Sequence, residues 1–464
     1  MGLDIGTTGC KCTIFSIDGR MESMSYQEYR TINPEPGQYE LDPAEVWEAV
    51  CKVIKEAISN HTGEKVTALS VSSLGEAAVP VDKDGNILHN SLLYIDTRGE
   101  SQARKLEEAL GIPKIMEITG LPAHPMYTIN KVMWFKKERP DIYRDVWKFM
   151  LYGDYILYKL GGVPAIDYSL ASRTMAFNVV SKTWDPTMLG AAGIDKDIFS
   201  PAYPAGTAVG QIKKDVASEL GLSSDLTLVV GAHDHICASI GAGVFQEGMA
   251  IDSIGTVECI TPAFNKGVDR VAMLANNFAY VPHAVDGTYS TYAFSFTGGS
   301  LLKWYRDNFG AMAEQEAAQK GISVYALLDA QAAQDPTGIL VLPHFAGTGT
   351  PYMDSAAKGA IIGLDYKVDS GTFYRALLEG VTYEMQLNME ALSTAGIAIQ
   401  ELRCVGGGAK SEFWMQIKAD IFGKKVVTLE TGEAGTLGAA VLAGAGTGRY
   451  KSLDETVQFM VKKR

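Results

Sequence analysis

The sequence predicts an α/β protein built of two similar halves, each with a mixed sheet of its own. Three observations carry that prediction. Asp4-Ile5-Gly6-Thr7-Thr8-Gly9 near the amino terminus returns in altered form as Ser253-Ile254-Gly255-Thr256-Val257-Glu258 in the middle. Each Gly-Thr pair ends a short apolar run, at 2–5 and at 249–254, where a strand would break into a tight turn. A chain of 464 residues is also too long for one ordinary core, so two domains of similar size are expected.

Taken in order, residues 3–5, 11–15 and 21–29 read as strands, the second and third joined by the turn pair Asp18-Gly19, which makes an antiparallel meander. A helix is expected over 42–60. Asp42 is its cap, Pro43 its first residue, Glu45 completes a capping box, and Val46, Val50, Val53, Ile54 and Ile58 share one face. A strand at 66–72 then leads to a polar turn. The second half repeats the order with strands at 249–253 and 258–261, the turn Asp286-Gly287 and a strand at 289–294. Helices follow at 299–309 and 370–394, a strand at 402–405, a helix at 411–422, a strand at 425–429 and a small-residue helix at 435–445. The halves change over near Gly241-Ala242-Gly243 without a low-complexity linker, so the hinge is expected to be short and structured. Meanders followed by helices define an α/β architecture.

Composition narrows the function. Hydrophobic residues make up 47% and charged residues 20%, the balance of a packed globular chain. A net charge of -13 argues against nucleic acid as a partner, because phosphate backbones are held by clustered Lys and Arg. Asp4 stands where a signal peptide would be basic, no later stretch stays apolar for the length of a membrane span, and Gly6 occupies the position where a myristoylation signal needs Ser or Thr. A cytoplasmic location with no membrane partner is expected. Cys10, Cys12, Cys51, Cys237, Cys259 and Cys404 form no C-x-x-C pair, so they read as reduced thiols.

Backbone N–H groups in a Gly-Thr turn can cradle phosphate oxygens, since glycine admits close approach and threonine adds a hydroxyl. Two such turns suggest two lobes around one nucleotide. A third cluster, Gly406-Gly407-Gly408-Ala409-Lys410-Ser411, follows an apolar stretch and opens a helix, another place for a nucleotide against backbone. Its plainer reading is a tight strand-to-helix turn. Asp4 sits inside a strand, where a carboxylate is costly unless paired or linked to a metal. Lys11 is open to two readings, a phosphate contact or a solvated strand-edge charge. Asp234, at the end of the run 226–230, is either a helix cap or a proton acceptor.

Seven motifs in fixed order resemble one family. They are Gly2-Leu3-Asp4-Ile5-Gly6-Thr7-Thr8, Asp96-Thr97-Arg98, Asp167-Tyr168-Ser169-Leu170-Ala171-Ser172-Arg173-Thr174, Gly231-Ala232-His233-Asp234, Gly255-Thr256, Gly347-Thr348-Gly349-Thr350-Pro351-Tyr352 and the 406–411 cluster. Chance matches do not keep order and spacing over four hundred residues. The chain resembles the FGGY family of carbohydrate kinases, which includes glycerol kinase, xylulokinase and gluconokinase. The resemblance implies two duplicated ribonuclease-H-like domains of the actin/hexokinase ATPase type with an interdomain cleft. Residues 1–243 would hold the sugar and the catalytic base, and residues 244–464 the nucleotide.

It also implies ATP and Mg2+, a small sugar, ketose, sugar acid or polyol as acceptor, and a homodimer as an open alternative to the monomer. Asp234 matches the catalytic base and also contacts the acceptor; Asp4 matches the magnesium partner, through water. Thr7, Thr8 and Lys11 match the first phosphate loop, Gly255 and Thr256 the second. Gly299 and Lys303 match positions near the nucleotide, and Gly407, Gly408, Lys410 and Ser411 the adenosine loop. Glu76 and His235 fall on sugar-contacting positions but differ in type from the relatives, while Asp96 and Arg98 support the pocket. Neighbours on an extended segment point to opposite faces, so His233-Asp234-His235 is not expected to ligate one metal. Family members usually begin with a few more residues and finish with a further helical segment, which leaves open a trimmed chain or the ordered part of a longer one. An ATPase or phosphatase of the same fold, or an inactive ATP- or sugar-binding sensor, are the competing readings.

Overall fold

The amino-terminal strands joined at the Asp18-Gly19 turn form the antiparallel meander that the sequence predicts. The structure is a computed structural model describing residues 1–430 and 432–463. Strands β1 (Gly2–Ile5), β2 (Gly9–Phe15) and β3 (Met21–Glu28) pair antiparallel in turn. Helix α1 (Pro43–Ser59) lies on them with Val46, Val50, Val53 and Ile54 buried, and Asp42 Oδ1 accepts from the Ala44 N–H at 2.8 Å. Glu45 does not close the expected capping box. It accepts instead from the Arg30 N–H at 3.4 Å, because Arg30 brings its cation beside the first helical turn, 3.8 Å from the carboxylate.

The chain continues through β4 (Ala68–Ser73), α2 (Tyr168–Ser172), β5 (Ala208–Gln211), β6 (Thr227–His233) and α3 (Asp234–Gly241). Then come β7 (Met249–Ile254), β8 (Glu258–Phe264), β9 (Ala293–Ser295), α4 (Gly299–Phe309), α5 (Ser370–Thr394), β10 (Glu401–Val405), α6 (Glu412–Phe422), β11 (Lys425–Thr428) and α7 (Ala434–Gly446). The expected strand over 289–294 is interrupted at Thr291-Tyr292, because the chain passes there from one compact unit to the other.

The first unit comprises Met1–Phe245, Tyr280–Ser290 and Glu433–Lys462, the second Gln246–Ala279, Thr291–Gly432 and Lys463–Arg464. The sequence-based division at 243/244 therefore differs at Tyr280–Ser290 and in the late segment, and for the latter α7 supplies the reason. Its glycines let backbone meet backbone. A Cβ on Gly438 would lie 1.8 Å from the Cys237 carbonyl oxygen on α3, and one on Gly2 of β1 would lie 1.9 Å from that of Thr436. The small-residue helix read from the sequence is thus the layer that covers the first sheet.

That sheet runs β5–β6–β4–β1–β2–β3, with β1, β4 and β6 mutually parallel and β4 buried at every residue. In the second unit the order β9–β8–β7–β10–β11 repeats the plan, with β7 antiparallel to β8 and parallel to β10. Its core joins Leu301, Tyr305, Leu377, Leu378, Trp414 and Ile417. Beneath the turn after β7, the fully buried Lys418 of α6 sits 3.0 Å from Asp252 and against Glu258. Burial, and then the Asp252 carboxylate, pushes Glu258 up to about 8.

Gly438→Val is expected to lower the unfolding free energy by about 1–3 kcal/mol, since the added atoms meet an unyielding carbonyl. A urea midpoint equal to that of the unsubstituted protein would contradict the close packing of α7.

Candidate active site

Register assembles the first group of site residues. Ile5, Ser73 and His233 are partners across β1, β4 and β6, so the segments that follow, residues 6–9, 74–77 and 234–235, leave the same sheet edge. Ligands of parallel α/β sheets sit at that carboxyl edge. Asp4, Thr7, Thr8, Lys11, Glu76, Asp234 and His235 all belong to it. Residues 6–9 form a tight turn in which the Gly6 N–H donates to the Gly9 oxygen at 2.9 Å. The Tyr29 hydroxyl donates to the Gly6 oxygen at 2.5 Å and fixes the turn from behind, while Thr8 is exposed.

Asp4 Oδ1 accepts from the Ser72 hydroxyl at 2.6 Å, and burial pushes its carboxyl up to about 6. Gly435 faces the other oxygen; a Cβ there would stand 3.2 Å from Oδ2, so the missing side chain keeps room beside the carboxylate. Lys11, the strand partner of Asp4, has its Nζ 2.5 Å from Glu433, just before α7.

Asp234 is the first residue of α3, and the cap position belongs to His233. The Asp234 side chain keeps 38% exposure, and its Oδ1 accepts from the His235 N–H at 2.6 Å and lies 3.2 Å from His233 Nε2. Burial raises its carboxyl to about 6. Burial and then Arg173 hold His233 well below the usual imidazole range and His235 at about 4, so both rings are neutral near pH 7. The sequence argument that Asp234 points away from its neighbour His233 does not hold, because the backbone turns from strand into helix at this point and leaves Asp234 Oδ1 3.2 Å from His233 Nε2.

Glu76 adopts a left-handed φ of 62°, unusual for a residue with a side chain, and is buried against Arg173, whose Nε donates to Oε1 at 2.6 Å. Burial pushes Glu76 up, and Arg173 partly counters it. The guanidinium lies 5.1 Å over the Tyr127 ring. Arg173 follows α2, whose cap Asp167 accepts from the Ser169 N–H and hydroxyl, both at 2.6 Å; the Ser169 oxygen in turn accepts from the His233 N–H at 2.9 Å. Sequence reasoning quoted this motif but assigned no role to Arg173, His233, Asp167 or Ser169. Asp96 and Arg98 pair with each other, and Arg98 reaches Glu40 at 2.7 Å, which braces the turn.

The second unit repeats the device. Ser253 and Val405 are partners on parallel β7 and β10, so residues 255–257 and 406–411 share an edge. The Gly299 N–H donates to the Gly255 oxygen at 2.8 Å, and a Cβ on Gly406 would lie 2.6 Å from the Ile254 oxygen. Gly255, Thr256, Gly299, Gly407 and Gly408 are thereby gathered. Lys303 is not; it is 65% exposed on α4 and paired with Asp307 at 2.7 Å. Lys410 is exposed, and Ser411 caps α6 by accepting from the Trp414 N–H at 2.9 Å.

Duplicated sheets that each present a Gly-Thr turn at their carboxyl edges, with partly buried aspartates beside one of them, define a phosphotransferase of the two-domain ATPase fold. Residues 1–241 match the N-terminal domain, and residues 253–447 the C-terminal domain, of the FGGY family of carbohydrate kinases. The chain belongs to that family, and phosphorylates sugars with ATP. It is 32% identical over 465 residues to a xylulose kinase of Staphylococcus epidermidis, covering 100% of this chain and 90% of the relative. A gluconokinase of Bacillus subtilis is 30% identical over 464 residues, with 98% and 88% covered. The fold is that of a ligand-bound xylulose kinase from Lactobacillus acidophilus, with a TM-score of 0.87 at 24% identity over 100% of this chain and 92% of that one. Among the described residues, no helix is long and apolar enough to cross a membrane.

Arg173→Met is expected to cost about 3–5 kcal/mol, because it strands the buried Glu76 carboxylate, and adding Glu76→Gln should recover part of that loss. Urea denaturation of the single and double variants decides; strictly additive losses would mean that the two side chains are not coupled.

Proposed function

We propose that the chain transfers the γ-phosphoryl group of ATP to a hydroxyl of a small neutral ketose or polyol, with Asp234 as the general base. The observation that carries this reading is Asp234 itself, a half-exposed carboxylate at a parallel-sheet edge whose basicity is raised to about 6 by burial. As the acceptor oxygen attacks phosphorus, the O–H pair becomes the new O–P bond, the proton passes to Asp234, and ADP leaves. The acceptor-side residues Glu76, Asp234 and His235 lie in the first unit, and the nucleotide-side residues Gly255, Thr256, Gly299, Gly407, Gly408, Lys410 and Ser411 in the second. Thr7, Thr8 and Lys11 are the first unit's own candidates for phosphate contacts, with Lys11 already paired with Glu433, while Lys303, 65% exposed and paired with Asp307, has the weakest claim.

The similar proteins are named for a ketose and for a sugar acid. Charge favours the neutral acceptor. The one guanidinium of the group is paired with Glu76, both histidines are neutral, and Asp4 and Asp234 leave the edge negative, which repels an acceptor carboxylate.

Asp4 fits magnesium. Among the described residues no group of three His, Cys, Asp or Glu is placed to hold a metal, and Mg2+ needs only one or two carboxylates beside phosphates and water. When bound, it would neutralise charge on the transferring phosphates.

A coupled assay that follows ADP and phosphorylated product over pentuloses, hexuloses, polyols and aldonic acids tests the proposal. Asp234→Asn should bind ATP normally and lose about 10²–10⁴-fold in turnover. Since the base must be ionised and its carboxyl sits near 6, kcat/KM should fall as pH drops through about 6. Turnover near that of the unsubstituted enzyme in Asp234→Asn would remove the base assignment; a preferred aldonic acid would reverse the acceptor class, and ADP without phosphorylated sugar would indicate a hydrolase.

Asp4→Ala should shift the magnesium dependence of turnover to higher concentration while changing the acceptor KM little. An unaltered magnesium titration would rule Asp4 out as the metal's partner.

A further inference from the structure

We propose that His233 is a positioning residue for the base, its Nε2–H holding Asp234 Oδ1 so that Oδ2 receives the acceptor's proton. This rests on the reading of Asp234 as general base. Nε2 lies 3.2 Å from Oδ1, and the His235 N–H donates to the same oxygen at 2.6 Å, so both contacts fall on one side of the carboxylate. A carboxylate only accepts, so the ring nitrogen facing it carries the proton.

Three features set the imidazole in place. Its backbone N–H is held by Ser169, itself held by Asp167. Its backbone is fixed in β6 opposite Ser73. Gly75 leaves the space at Nε2, where an added Cβ would stand 3.1 Å away. The ring is buried and neutral, which matters chemically: a neutral donor orients Asp234, whereas an imidazolium would pair with it and lower its basicity. The other ionisable groups facing Asp234 are Arg173 after α2, Glu76 after β4, Asp4 in β1, His235 in α3 and Tyr94.

The test compares His233→Ala, His233→Gln and Asp234→Asn in the full chain, with the best acceptor of the panel. His233→Ala should lower kcat about 10–100-fold, as a misplaced catalytic group does, with little change in the acceptor KM. The acid limb of the kcat profile should move to higher pH, because the charged carboxylate loses a donor. His233→Gln, which keeps an N–H donor, should recover much of kcat and return the acid limb. Equal losses in both variants with an unmoved acid limb would overturn the proposal, as would unchanged kcat in both. If His233→Ala does not fold, the acid limb of the Gln variant decides alone: displaced from that of the unsubstituted enzyme, it overturns the proposal. Should Asp234→Asn retain turnover, the base reading itself fails, an outcome distinct from an inactive Asp234→Asn beside normal His233 variants.

Discussion

The alignment of three parallel strands is the constraint on which the first unit's chemistry depends. Because Ile5, Ser73 and His233 stand level across β1, β4 and β6, a glycine turn, a left-handed glutamate and the start of a helix leave the sheet together. A slip of one residue in any strand would turn its side chains to the opposite face and scatter the group. Burial of β4 at every position makes such a slip expensive, so the apolar core fixes the site's geometry before any polar contact does.

Electrostatics at this edge follow from enclosure more than from charge pairs. Burial leads the causes that raise Asp4, Glu76 and Asp234 and that lower His233 and His235. The acids are thereby brought toward the range in which proton acceptors work, and the imidazoles are kept uncharged. Arg173 is the counterweight: it meets Glu76 directly and adds to the depression of both histidines. The Lys418, Asp252 and Glu258 cluster under the second Gly-Thr turn is the corresponding polar core of the other unit, a buried ammonium set between two carboxyl groups, with burial raising Glu258.

Much of this was legible in the sequence. Short strand runs and the Asp18-Gly19 turn gave the meander, Asp42-Pro43 the start of α1, and the repeated Gly-Thr turns the duplication and the two loop groups. What stayed hidden depends on three-dimensional proximity. Arg173 is 97 residues from Glu76, and no local pattern announces their pairing. His233 was set apart from Asp234 by a strand argument that fails where strand becomes helix. Ser411 and Lys303 were legible as residue types, yet their nearest tasks are a helix cap and a surface pair. The late return of residues 433–462 to the first unit was invisible because small residues carry little periodic signal, although their glycines are what permit the contact.

That return has a consequence for how the chain comes into being. The first sheet is encoded by residues 2–233, but the helix covering it is not synthesised until residues 434–446. A nascent chain emerging from the ribosome therefore holds a sheet with one face unlayered while some two hundred further residues are made, at about 5–20 residues per second. The second unit can complete its own core in that interval, whereas the first must wait for residues 434–446. Vectorial synthesis thus inverts the order suggested by the numbering: the half begun first is the half finished last.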